Sequence, residues 1–136
     1  MIKQSHKGFT LIEVMIAVVI LSILVAIAVP SYSKFITDSR RNDATSMLIE
    51  VAAEQQRFLS DQNRYATSMA DLGYDSDPMP SDDGYYEITV SNPTNSTFEL
   101  TATPVVGGAQ ESDTECGSFM LRSNGVQTAD GGPDCW

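Results

Sequence analysis

Lys7-Gly8-Phe9-Thr10-Leu11-Ile12-Glu13 joins a short basic stub to the apolar run Phe9–Val29 and sets a carboxylate near the start of that run. A charged side chain well inside an apolar span costs about 2.5–3.5 kcal/mol on insertion scales, so such a group normally has a partner or a task. The sequence offers one partner. A cut after Gly8 would create an α-amine at Phe9, one helical turn from Glu13. The run spans 21 residues, long enough for a bilayer and too long for the apolar core of a secretory signal. Ala26-Ile27-Ala28, the nearest small-x-small site, leads into Val29-Pro30 and a further helical pattern rather than a polar mature start. A membrane span is the better reading.

Working outward, Pro30 removes a helical hydrogen bond to the carbonyl four residues back. Helical periodicity nevertheless resumes over residues 31–61. Ala44, Met47, Leu48, Val51, Ala52, Phe58 and Leu59 recur at spacings of three and four, with Arg41, Asp43, Glu50, Glu54 and Arg57 between them. The pattern predicts one helix from Phe9 to about Gln62, kinked near Pro30 and roughly 80 Å long at 1.5 Å per residue. Its first half is apolar all round and belongs in lipid or a bundle. Its second half is apolar on one side and belongs on a domain.

Beyond the helix, residues 67–73 read as a short capped turn stopped by Gly73, and 75–84 as a loop with two prolines and four aspartates. From Tyr85 the period changes to two. Tyr86, Ile88 and Val90 alternate with polar residues, as do Phe98, Leu100 and Ala102, around the turn-rich segment 92–96. A third strand is expected at Ser118–Arg122 and a fourth at Val126–Thr128, joined by Ser123-Asn124-Gly125. The expected fold is α+β: a long N-terminal helix packed on a four-stranded antiparallel sheet.

Charge and cysteines narrow the function. Residues 31–136 carry 17 acidic against 6 basic side chains, and the whole chain has net charge −10. That balance opposes nucleic-acid binding, which draws on clustered Lys and Arg. Arg40 and Arg41 read as a solvated helix face. Cys116 and Cys135 bracket a Gly- and Asp-rich segment unable to build its own core; a bridge closing it would stabilise by about 3 kcal/mol. The disulfide reading puts the C-terminal part in an oxidising compartment and the N-terminal stub in the cytoplasm. Asp75, Asp77, Asp82 and Asp83 fail calcium-loop spacing, because Met79 and Pro80 stand where a ligand and a glycine are needed. Asn95-Ser96-Thr97 has the form of a glycosylation sequon. His6, the single histidine, lies in the stub, and no nucleophile–base pair or metal-ligand cluster stands out. No enzyme, metal or cofactor is expected.

Gly8-Phe9-Thr10-Leu11-Ile12-Glu13, after a short basic leader and before an apolar helix containing Pro30, closely resembles the N-terminus of type IV pilins. The resemblance is strong over residues 7–41 and architectural beyond. Cys116-Gly117 and Cys135-Trp136 make the chain similar to type IVa minor pilins of the PilE kind. The resemblance implies residues 1–8 as a leader removed by prepilin peptidase, 9–30 as a transmembrane and assembly helix, and 31–136 as a periplasmic or extracellular head. It further implies cleavage between Gly8 and Phe9 with N-methylation at Phe9, and pairing of Glu13 with the Phe9 amine of a neighbouring subunit. Pro30, with Ser22, would mark where the helix loosens. The expected partners are other pilin subunits, the inner-membrane assembly machinery and lipid before assembly, with nucleic acid disfavoured. The expected function is a structural subunit of a pilus supporting assembly, twitching or adhesion, in the inner membrane first and then in the extracellular fibre. The alternatives are a pilus-tip receptor for DNA uptake and a pseudopilin of type II secretion.

Overall fold

A computed structural model describes residues 8–136. Residues 1–7 of the expected leader therefore lie outside the described residues. The described residues fall into two compact units that divide between Ile36 and Thr37.

Helix α1 covers Leu11–Gln62 and continues through Pro30. Thr10 caps its start, accepting at its carbonyl the first helical bond from the Val14 amide at 3.3 Å. Within the first unit every large apolar side chain from Phe9 to Val29 is at least half exposed. This is the one helix among the described residues long and apolar enough to cross a membrane.

In the second unit α1 buries Ala44, Met47, Leu48, Val51 and Gln55 along one stripe. Of the predicted apolar positions Ala44, Met47, Leu48 and Val51 are buried and Ala52 and Leu59 pack against the core, whereas Phe58 is half-buried outside it; Gln55 is an added polar member. Its carboxamide clamps Ala66 from both sides, accepting from the Ala66 amide at 2.9 Å and donating to its carbonyl at 3.2 Å. A buried amide so paired carries no desolvation debt. That contact holds the chain as it turns away from the helix.

The sheet has five antiparallel strands in chain order: β1 Met79–Pro80, β2 Tyr86–Ser91, β3 Glu99–Pro104, β4 Phe119–Arg122 and β5 Gln127–Ala129. The expectation of four strands is corrected by β1, inside the segment read as a loop. Two residues show no alternation, and Pro80 is tolerated because the strand is an edge. Register explains the core. Met79, Ile88, Ala102, Phe119 and Ala129 form one row across all five strands, facing the stripe of α1 within a single apolar cluster. The opposite face carries Thr89, Thr101, Met120 and Thr128 in register. Edge-to-face aromatic pairs tie the interior together, Tyr86 with Phe119 at 5.8 Å and Phe119 with Trp136 at 5.9 Å between centroids.

Candidate functional site

The segment that decides the fold is also the strongest candidate for function. Gly8, Phe9 and Thr10 precede the helix, and Glu13 sits at its third position. Glu13 has a partner within its own chain. Its Oε2 accepts the Thr10 backbone amide at 2.8 Å and the Thr10 hydroxyl at 2.6 Å, while the Glu13 amide donates to the Thr10 hydroxyl oxygen at 3.3 Å. This reciprocal arrangement is a capping box, which satisfies orphan donors at a helix start. The carboxylate also stands at the positive end of the helix dipole. The reading of Glu13 as a charge in want of a partner missed Thr10, although Thr-x-x-Glu was visible in the sequence.

C-terminal to the cap, the surface is apolar. Phe9, Glu13, Val14, Ala17, Val18 and Leu21 border an open concavity of about 380 Å³. The Ser22 hydroxyl donates to the Val18 carbonyl at 2.7 Å and the Ser31 hydroxyl to that of Ile27 at 3.2 Å. Both bonds return polar side chains to the helix that carries them, so neither competes with the apolar exterior.

In the second unit Cys116 and Cys135 form the expected disulfide, 5.6 Å apart between Cα atoms. The closed loop is tightly folded. The Gly131 amide donates to the Cys116 carbonyl at 3.3 Å, and a Cβ at Gly131 would stand 1.6 Å from the Glu115 carbonyl oxygen. Only glycine allows that approach. Trp136 closes the loop by donating its indole N–H to the Thr128 carbonyl at 2.7 Å.

Arg41 departs from the solvated pair expected of Arg40 and Arg41. Its side chain is 12% exposed and Asp113 opposite it 3%. Nε and Nη2 of Arg41 donate to the two carboxylate oxygens of Asp113, each at 2.7 Å, and further bonds reach Glu115 at 2.8 Å and Asp38 at 2.9 Å. Hydrogen bonds from Arg41 hold the Asp113 carboxyl below the usual carboxylate range, against the opposing effect of burial. Asp113 in turn accepts the Cys116 amide at 3.3 Å. The ion cluster therefore anchors the start of the disulfide loop to the helix. Arg40 lies over the Tyr85 ring at 4.9 Å, a cation–π placement.

A second buried carboxylate, Asp43, accepts the Ser81 hydroxyl at 2.5 Å and the Asp83 amide at 3.2 Å. It fixes the chain between β1 and β2 on α1. The remaining arginines each have a local partner: Arg57 with Glu54 at 3.1 Å, Arg122 with Glu99 at 2.6 Å, and Arg64 over the Phe58 ring at 5.2 Å.

Comparison with known proteins follows this division. Residues 3–29 match the prokaryotic N-terminal methylation motif, and residues 30–120 match the family described as type IV minor pilin ComP, DNA uptake sequence receptor. The type IV major pilin protein PilA of Myxococcus xanthus is 39% identical over 69 residues, covering 51% of this chain and 31% of that protein. Fimbrial protein EcpC of Eikenella corrodens is 36% identical over 73 residues, covering 54% and 48%. A fimbrial protein of Pseudomonas aeruginosa is 33% identical over 110 residues, covering 74% of this chain and 69% of its own length. The chain thus spans less than half of the first two relatives and about two thirds of the third.

Proposed function

The chain belongs to the type IV pilin family, and we propose that it is a minor structural subunit that polymerises through Phe9–Val29 once residues 1–8 are removed. The observation that carries this reading is the apolar helix behind Gly8-Phe9-Thr10, exposed on every side. Such a surface requires lipid before assembly and other helices afterwards. The motif matched over residues 3–29 supports processing by prepilin peptidase, with cleavage between Gly8 and Phe9 and methylation of the new amine. The subunit is held in the inner membrane first, its N-terminus cytoplasmic, and then enters an extracellular fibre supporting assembly, twitching or adhesion. It acts without catalysis.

Glu13 has two successive partners in this reading. In the precursor its carboxylate is satisfied by Thr10. After cleavage the Phe9 amine of a neighbouring subunit supplies a charged partner, and two charges in apolar surroundings are tolerable when paired. Mass spectrometry of sheared fibres should find this chain beginning at N-methylated Phe9. A Gly8-blocked precursor incorporated at normal levels would overturn the cleavage requirement. Glu13→Val should insert in the membrane yet stay out of fibres; normal incorporation would sink the pairing.

A second reading, a DNA receptor within the pilus, is favoured by the description of the family matched over residues 30–120. Against it stands the acidic balance of the head, which repels a polyanion. A low-salt gel shift with duplex DNA decides between them.

A further inference from the structure

The exposed apolar helix is not uniform along its length. Between Phe9 and Tyr32 there is no aromatic residue, and between Glu13 and Lys34 no charged one. Tyr32 and Phe35 then follow three residues apart, 68% and 67% exposed, with the exposed Lys34 between them. All three belong to the same compact unit as the apolar run, and α1 carries them without a break through Pro30.

Depth decides what this cluster meets. At 1.5 Å per residue, Phe9–Val29 covers about 30 Å, the thickness of the hydrocarbon layer. The Cα atoms of Tyr32 and Phe35 stand about 4.5 Å and about 9 Å beyond Val29. Headgroup layers add roughly 5–8 Å on each side, and large helical side chains lean back towards the helix N-terminus. Both rings therefore fall within the outer headgroup layer, where amphipathic aromatic side chains collect. The long stem of Lys34 carries its ammonium outward to the phosphates. Residues two apart do not share a helix face, so ring and cation reach that layer on different sides of the helix. Contact with another helix is the competing use of the rings. Helix pairs in lipid select small residues that let backbones approach, and two large exposed rings hold a neighbour off.

We propose that Tyr32 and Phe35, with Lys34, form an interfacial anchor that fixes the depth of the unassembled subunit in the outer leaflet of the inner membrane, their partner being the glycerol and phosphate layer of phospholipid. The inference rests on the membrane-first reading given above. One helix joins the anchor to Leu11, so holding the rings at the outer surface also fixes the level of Gly8-Phe9 at the inner one.

The test places a nitroxide on Ile27→Cys in the full chain, reconstituted in vesicles of phosphatidylethanolamine and phosphatidylglycerol. Cys116 and Cys135 are joined to each other, so the new thiol alone takes the label. Its relative collision with oxygen and with a water-soluble nickel chelate reads its depth. Tyr32→Ala combined with Phe35→Ala should displace the label by at least about 1.5 Å, one residue's rise. The exchange Tyr32→Phe with Phe35→Tyr keeps both rings in the layer and should leave the label in place. Unchanged depth in the double alanine variant, or equal displacement by the exchange, overturns the proposal. If the double alanine variant keeps its depth yet stays out of fibres, the rings are a subunit contact instead. A label on Val18→Cys separates these outcomes from failure of the reading beneath them. Shielding from the chelate there upholds the span, and ready collision refutes the span and the anchor together.

Discussion

The two portions of α1 obey opposite rules within one helix. From Thr37 to Gln62 the apolar side chains of Ala44, Met47, Leu48 and Val51 fall on one stripe, and the sheet covers them, while Ile49 on another side stays exposed. From Leu11 to Val29 they surround the helix, and nothing among the described residues covers them. The hydrophobic effect acts on both, at roughly 25 cal/mol per Å² removed from water. Only in the first case does folding of this chain satisfy it. Residues 37–62 thus belong to the stability of a domain, and residues 11–29 to an environment that must be supplied by lipid or by other subunits.

The sharpest way to break that comparison is to remove one large side chain from each portion. Phe119 is fully buried beneath the helix stripe, whereas Val19 is 58% exposed. Phe119→Ala should lower the unfolding free energy of the head by about 3–5 kcal/mol. Val19→Ala should change it by less than about 0.5 kcal/mol. Denaturant unfolding of the full chain in micelles, followed by circular dichroism, reads both. A comparable loss for Val19→Ala would mean that the apolar portion shares in the stability of the head.

How far the sequence exposed this division depended on whether a signal was periodic or tertiary. The apolar run, the stripe from Ala44 to Leu59 and the alternation in β2 and β3 were legible because each repeats over several residues. The edge strand Met79–Pro80 was not, since its pairing with Ile88 and Glu87 leaves no pattern in two residues. Gln55 interrupts an apolar stripe and reads as surface until its contact with Ala66 is seen. Arg41 is similar: Asp38 is three residues away, but the decisive partner Asp113 is 72 residues distant. Thr10 and Glu13 are the instructive miss. Their spacing carried the capping box openly, and the apolar context drew attention to the cost of the charge instead of its local remedy.

A smaller effect than core truncation is expected from the disulfide, and it again separates the two portions. Cys116 and Cys135 enclose a sequence separation of 19 residues, for which loop-closure entropy gives about 3 kcal/mol. Reduction, or paired Cys→Ser substitution, should lower the head's stability by that amount and shift the fluorescence of Trp136, the single tryptophan. The helical content of residues 11–29 should stay unchanged. Loss of that helix on reduction would show that the portions unfold as one unit.

The smallest of the three effects concerns Asp113, where the helix stripe gives way to an ionic contact. Its folded-state acidity is strengthened chiefly by hydrogen bonds from Arg41. A carboxyl held below its unfolded value contributes stability above that value, near pH 4, and loses the contribution as pH falls through the folded value. The head should therefore weaken progressively as the solution is acidified below about pH 4. Glu99, lowered mainly by its hydrogen bond from Arg122, adds a share in the same direction. Asp113→Asn keeps the shape and removes the charge, while Asp38 and Glu115 remain beside Arg41. It should lower stability at neutral pH by about 1–3 kcal/mol and flatten the acid limb without abolishing it. An unchanged acid limb would assign that slope to Glu99 and the other carboxylates. The Arg41 cluster would then orient the disulfide loop without stabilising the head.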